Sequence, residues 1–235
     1  MNKIITAIKN PSLVLSHIQT KKREKENEMH RERIHEYRKY ITTPESALKK
    51  TFGTVKKSNS NIKLDKEIFP RAFNMDVMQG KFLHSCVKLL KPQLMVETGI
   101  ANGVSSAYIL KAMNENNTGK LISIELRKDL NAGSLVPENL RVRWQIEYGS
   151  SLKVMENMFK EHGFIDAFLH DSEHTYGYML SEYRLAWPHI RDGGLMISDD
   201  VGANNAFLEF AESVGRKMVC IQGNEHKSIL GIVKK

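Results

Sequence analysis

Cysteine is nearly absent: Cys86 and Cys220 are the only two in 235 residues, far apart and without His or Cys partners at ligand spacing. That excludes a disulfide scaffold and a zinc ribbon, and it fits a reducing compartment. Long apolar runs are missing as well. In the first twenty residues the apolar run is Leu13-Val14-Leu15, too brief for a membrane span and followed by no small-residue cleavage site. The expectation is a cytoplasmic protein with no transmembrane segment. There is no internal repeat and no long low-complexity tract. Acidic surplus is lacking too, since the net charge is +8. That charge is confined: residues 1–60 carry 14 Lys and Arg against 6 Asp and Glu, whereas residues 61–235 carry 21 of each. The basic character belongs to an N-terminal arm, and a neutral core disfavours nucleic acid as the main partner.

What is present is a soluble balance of 41% hydrophobic and 26% charged residues, enough for one domain and an extension. Asn10-Pro11 reads as a helix start, with a solvated, charged helix running toward Tyr40. The polar stretch Lys56–Asn61 reads as a boundary, giving a basic, helical N-terminal arm over 1–60 and a catalytic domain over 61–235. From about Phe69 short apolar runs alternate with longer amphipathic ones, the pattern of an α/β fold. Strands are expected near Leu94–Thr98, Leu121–Leu126, Arg143–Tyr148, Ala167–His170, Leu195–Ser198, Met218–Gln222 and Ile229–Val233. Helices are expected near Lys81–Leu90, Val104–Asn114, Ser151–Lys160, Tyr176–Trp187 and Asn204–Val214. Only six residues separate the last two strands, too few for a parallel crossover, so they should form an antiparallel hairpin. The fold class is thus a Rossmann-like, seven-stranded, mostly parallel sheet with a C-terminal antiparallel hairpin.

The run from Met95 to Ser106 is a strand that breaks into a glycine turn and restarts as a helix, the place where an open α/β sheet binds its ligand. Its glycines, Gly99 and Gly103, are spaced Gly-x-x-x-Gly, and Ala101 stands where a dinucleotide fingerprint has its middle glycine. Glu97 would repel a phosphate but would suit the ammonium group of an amino-acid-bearing cofactor. Glu125 ends the next strand, 22 residues after Gly103, where a carboxylate can accept both ribose hydroxyls. The alternative reading of the glycines is tight strand–helix packing.

The run Glu97 to Ser106 resembles the first motif of class I S-adenosylmethionine-dependent methyltransferases in its Glu-x-Gly-x-x-x-Gly-x-Ser form, and the similarity spans most of Phe69 to Lys235. This form is similar to small-molecule O-methyltransferases of the catechol O-methyltransferase type and to bacterial cephalosporin-hydroxylase-like and macrolide-sugar methyltransferase groups. The resemblance implies that Glu97 meets the methionine ammonium, that Gly99, Gly103 and Ser105 flank the cofactor, and that Glu125 binds the ribose. It further places Gln79, within Met78-Gln79-Gly80-Lys81, over the methionine end. Gly149 and Ser150 would close over adenine, although Ser150 stands where the family commonly has Asp.

Two acidic groups end the fourth and fifth strands: Asp171, in His170-Asp171-Ser172-Glu173-His174-Thr175-Tyr176, and the pair Asp199-Asp200. Three acids at one sheet edge repel each other unless protons or a cation compensate, and oxygen ligands select a hard ion such as Mg2+. The sequence here resembles the family's Asp-x-x-His-x-Tyr element and its late acidic pair, which implies Asp171, Asp199 and Asp200 as metal ligands. Asn204 or Asn205 could add an oxygen. His174 is the candidate general base, with Asp171 the competing choice and also a cofactor contact. Tyr176, Tyr178, Met179, Tyr183 and Trp187 follow a helical spacing typical of core packing, and Gly193-Gly194 reads as a turn.

The expected reaction is methyl transfer to a hydroxyl of a small molecule or sugar, assisted by Mg2+ or another divalent cation. Two rivals stand beside it: an RNA-binding methyltransferase that uses the basic arm on phosphates, and a non-enzymatic partner-binding domain that retained the fold. The arm could also pair two subunits into a homo-oligomer, cover the substrate mouth, or rest on anionic lipid.

Overall fold

The computed structural model describes residues 35–53, 74–128, 131–224 and 228–235. Most of the helix expected from Asn10 toward Tyr40, and the whole boundary stretch Lys56–Asn61, lie outside the described residues; residues 35–38 form a helical turn. The chain divides into compact units Met1–Lys39 and Tyr40–Lys235. Residues 40–53 therefore go with the domain, earlier than the expected limit at residue 60. Backbone bonds from Thr42 N to Cys220 O (2.9 Å) and from Cys220 N to Tyr40 O (3.1 Å) tie this stretch to a strand. Helix α1 (Pro44–Phe52) follows and buries Ala47 and Leu48. It was not expected from the sequence, although its signals are local. The Thr43 hydroxyl caps Ser46 N, Pro44 sits in the first turn, and Gly53 closes the C-terminus with φ +72°.

The domain then runs through α2 (Val77–Leu90), β1 (Leu94–Thr98), α3 (Val104–Asn116), β2 (Lys120–Glu125), β3 (Trp144–Tyr148), α4 (Ser151–His162), β4 (Ile165–His170), α5 (Tyr176–Ala186), β5 (Ile190–Ser198), α6 (Ala206–Ser213), β6 (Met218–Gln222) and β7 (Ile229–Lys234). Helix α2 begins four residues before the expected Lys81 because the Asp76 carboxylate accepts from Met78 N at 2.8 Å and caps it there. The seven strands lie in the order β3-β2-β1-β4-β5-β7-β6. All pairs are parallel except β5–β7 and β6–β7, which are antiparallel, as the short final connection requires. Strand β5 starts at Ile190, five residues before the expected Leu195. Gly193-Gly194 is not a separating turn but an irregularity inside β5: the register slips between Ile165 and Ala167, and a Cβ on Gly194 would lie 2.5 Å from Asp166 O.

Strands β1 and β4, and β5 from Gly194 onward, are nearly all buried, as expected of a parallel sheet covered on both faces. Met95, Leu121, Leu169 and Ile197 pack with Leu83, Ile109 and Leu110 of helices α2 and α3. Strand order reverses between β1 and β4, so their carboxyl ends open a crevice at the switch point.

Candidate functional site

Backbone hydrogen bonds continue the sheet one step past its strands, and this fixes where the loop residues sit. Gly99 N donates to Ile124 O, Gly149 N to Glu125 O, Asp171 N to Thr98 O and Asp199 N to His170 O, each at 2.9 Å. The four loops meet around a cavity of about 620 Å³, within the usual range for small-molecule clefts. One side is lined by Gly99, Ile100, Ala101, Glu125, Leu126, Arg127, Gly149 and Ser151, the other by Asp171, Ser172, Glu173, His174, Asp199 and Asp200.

Gly99 has φ +81°, and a Cβ there would stand 1.9 Å from the carbonyl oxygen of Asp171. Only glycine lets the β1 and β4 loops approach this closely. Gly103, at φ +85°, is instead pressed on the β2–β3 connection, where a Cβ would meet Val136 at 2.7 Å and Gly133 at 2.8 Å. It does not line the cavity, and for this glycine the packing alternative holds. Ala101 is itself left-handed, with φ +45°. Glu125 organises the turn: one carboxylate oxygen accepts from Ile100 N at 3.0 Å and Ala101 N at 3.4 Å, and the other accepts from Arg127 N at 3.2 Å. A carboxylate offers about four acceptor sites, so capacity for hydroxyl donors remains on the cavity side.

Glu97 is not among the residues that line the cavity. Strand alternation turns its side chain inward, where it has no exposed surface and accepts from Ser105 (2.5 Å), Ser106 (2.5 Å) and Ser123 (2.6 Å). Burial pushes its carboxyl above the ordinary value against the pull of the three hydroxyls. Neither Glu97 nor Ser105 lines the cavity; the two saturate each other beneath its floor. Gln79 is likewise committed: its amide donates to Ser228 O at 3.1 Å and accepts from Ser228 Oγ at 2.9 Å, pinning α2 to the start of β7. Ser150 is the N-cap residue of α4 and makes no side-chain capping bond, and its neighbours Gly149 and Ser151 line the cavity in its place.

The carboxylates do gather, but as a pair and an outlier rather than a cage of three. Burial first and the Asp199 charge next hold Asp171 well above the usual carboxylate range; burial and then Asp200 push Asp199 to about 7. The two carboxyls are close enough for each to shift the other's pKa, and Asp199 Oδ1 is buried with no hydrogen-bond partner. Asp200, in the left-handed region at φ +45°, keeps its side chain 46% exposed. Among the described residues no set of three His, Cys, Asp or Glu side chains closes into a metal cage. The neighbouring carboxyls of Asp171 and Asp199, with Asp199 Oδ1 buried and unpartnered, fit the protein share of a Mg2+ site, where one or two carboxylates are completed by water or substrate.

His174 stands beside this pair, Nε2 4.0 Å from Asp171 and Nδ1 4.0 Å from Asp200. Burial, then the neighbouring His170, lowers its pKa to about 4, and its Nε2 makes no hydrogen bond. The Asn204 amide donates to His174 O at 3.1 Å, holding the loop that carries His174. Residues that the sequence reading missed are Ser151, Ser172 and Tyr178, which line the cavity, and Glu182, buried behind them. The helical spacing of α5 spoke only of packing, but a charged residue on its buried face was a readable signal.

Residues 96–201, from within β1 to just past β5, match a family model described as a methyltransferase domain. The segment that supplies most of the cavity lining is thus similar to a methyltransferase domain. Solved structures share the architecture at low identity. An O-methyltransferase from Bacillus cereus in complex with SAH is 17% identical with a TM-score of 0.59, covering 70% of this chain and 84% of that one. The O-methyltransferase TomG of Streptomyces achromogenes, involved in tomaymycin synthesis and in complex with SAM, is 14% identical with a TM-score of 0.59, covering 86% and 95%. A putative caffeoyl-CoA O-methyltransferase from Staphylococcus aureus is 14% identical with a TM-score of 0.55, covering 68% and 85%. No curated protein matches the chain.

Proposed function

We propose that this protein is an S-adenosylmethionine-dependent O-methyltransferase that acts on a hydroxyl of a small molecule or sugar with the help of a divalent cation. One observation carries the reading: a single cavity joins the glycine turn and Glu125 to the Asp171–Asp199 pair. The glycine-turn half suits a nucleoside, with Glu125 as the ribose acceptor, and the acidic half suits cationic and hydroxyl-bearing groups. S-adenosylmethionine supplies an electrophilic methyl group on a positively charged sulfur. The acceptor oxygen forms the new bond to that carbon as the carbon–sulfur bond breaks, its electron pair going to sulfur.

The acceptor must also lose a proton, and the chain's own residues bear on that. His174, with a pKa of about 4, is neutral at pH 7, and its buried Nε2 has no hydrogen-bond partner and so is uncommitted as a proton acceptor. So weak a base cannot alone ionise an alcohol, which is why the paired acids matter. A divalent cation on Asp171 and Asp199 would lower the pKa of the hydroxyl and fix its angle of attack. Asp171 lies close enough to both halves of the cavity to set the approach of the oxygen.

The TM-scores of O-methyltransferases bound to SAH and SAM favour the same cofactor and acceptor atom. No helix among the described residues is long and apolar enough to cross a membrane. Calorimetry with S-adenosylhomocysteine tests the cofactor, and a panel of sugars, polyols and catechols with labelled S-adenosylmethionine tests the acceptor. Transfer should need Mg2+ or Mn2+ and stop in EDTA. Full turnover in EDTA sinks the cation step; calorimetric silence sinks the cofactor reading.

A further inference from the structure

Helix α5 carries a carboxylate with no exposed surface, Glu182. Burying a charge is costly unless hydrogen bonds surround it, so its donors show what it is for. They come from three segments of the chain. Thr98 Oγ1 at the end of β1 donates at 2.7 Å, His170 Nδ1 at the end of β4 lies at 2.6 Å, Ser172 Oγ in the next loop donates at 3.0 Å, and Ser151 Oγ in the first turn of α4 also donates. Burial favours the neutral acid, but the bonds from His170, Ser151 and Thr98 outweigh it and hold the Glu182 pKa below the ordinary value. The ionised carboxylate accepts, so His170 donates through Nδ1.

The geometry singles out one residue. Asp171 is bracketed in sequence by His170 and Ser172, and both flanking side chains end on Glu182. The backbone N–H of Asp171 donates to Thr98 O, and the Thr98 side chain ends on Glu182 too. The backbone N–H of Asp171 and the side chains on either side of it thus lead to one carboxylate that does not line the cavity. A carboxylate that served the core alone would not gather donors from both sides of one cavity residue.

We propose that Glu182 is a positioning residue for methyl transfer, which through His170, Ser172 and Thr98 sets the place of Asp171 in the cavity. The assignment rests on reading the cavity as the methyl-transfer site. Displacement of a reacting group by about 1 Å can cost about 100-fold in rate, so turnover is the sensitive readout.

The test compares Glu182→Gln, Ser172→Ala and the double variant in the full chain, with kcat and KM for the acceptor found in the hydroxyl panel and calorimetry with S-adenosylhomocysteine. Gln keeps the volume but its amide accepts at one atom only, so at least one pair of donors loses its partner. Glu182→Gln should lower kcat about 100-fold while S-adenosylhomocysteine affinity stays within about threefold. Ser172→Ala should cost on the order of tenfold, and the double variant should be no worse than Glu182→Gln alone, because both cut the same tether. Should Glu182→Gln not fold, Ser172→Ala carries the test, with unchanged kcat counting against the proposal. A Glu182→Gln enzyme within threefold of wild-type kcat overturns the assignment, as do additive losses in the double variant or a fall in kcat matched by an equal fall in affinity. Wild type that does not bind S-adenosylhomocysteine overturns the site reading and the assignment together, whereas normal wild-type binding with an unaffected variant overturns the assignment alone.

Discussion

At the scale of single residues, the two faces of β1 divide the polar work. Glu97 points to the α3 side and meets three serine hydroxyls, while Thr98 points to the α5 side and meets Glu182. The two buried carboxyls differ in their pKa values. Burial wins at Glu97 and raises it; hydrogen bonding, with His170 foremost among the donors, wins at Glu182 and lowers it. The raised Glu97 value has a consequence for stability. When the folded-state pKa lies above the unfolded one, the folded chain holds a proton that the unfolded chain releases. The stability so contributed is full below the unfolded pKa, about 4.3, and is lost as pH rises through the folded value. Glu97→Gln stays neutral, and its amide can both accept from and donate to the serine hydroxyls. The stability difference between Glu97→Gln and wild type should therefore grow in favour of the variant as pH rises, at up to about 1.4 kcal/mol per pH unit. Urea unfolding between pH 4 and 8 measures it, and a difference independent of pH would show that Glu97 titrates as it does in the unfolded chain.

Among elements, the stretch from Tyr40 to Gly53 changes most between sequence and structure. Read as part of a basic arm, it instead adds a backbone bridge at Cys220 and lays α1 against the domain. Leu48, only 3% exposed, is packed in the core with Leu230 and Ile221 of the two antiparallel strands. Leu48→Ala should destabilise the protein by about 2–5 kcal/mol while leaving S-adenosylhomocysteine affinity unchanged, since α1 does not line the cavity. Denaturant titration beside calorimetry checks both halves. The strands and helices of the core were legible because apolar runs and amphipathic runs differ in period over whole elements. The ends of the strands were legible too, and they put Gly99, Glu125, Gly149, Asp171, His174, Asp199 and Asp200 in one cavity as expected. Side-chain direction within the glycine motif was not. A motif gives spacing, but whether Glu97 or Ser105 meets a ligand or each other depends on what Ser106 and Ser123 supply across the sheet. Helix α1 was hidden for a related reason: Lys49, Lys50, Lys56 and Lys57 gave the segment its arm-like charge, whereas the few buried residues, Ala47, Leu48 and Thr51, set where it docks.

For the whole molecule, the cavity is the place where β1, β2, β4 and β5 and the start of α4 come under common control. Each strand end is hydrogen-bonded to the next loop, so the cavity walls cannot part without disrupting the sheet edge. A ligand that bridges the glycine turn and the acidic side should stabilise the domain as one unit, through linkage to the folded state alone. At a concentration 100 times its dissociation constant, S-adenosylhomocysteine should add about 2.7 kcal/mol. For a domain of this size that corresponds to a rise in Tm of about 5–11 °C. Differential scanning fluorimetry with S-adenosylhomocysteine and with NAD separates the cofactor classes, because Ala101 and the acidic wall disfavour a pyrophosphate while the Glu125 side accepts a ribose. A single transition that moves upward with S-adenosylhomocysteine and stays in place with NAD is the expected outcome. A shift with NAD alone would return the chain to the dinucleotide binders, and two separate transitions would mean that the sheet edge does not behave as one body.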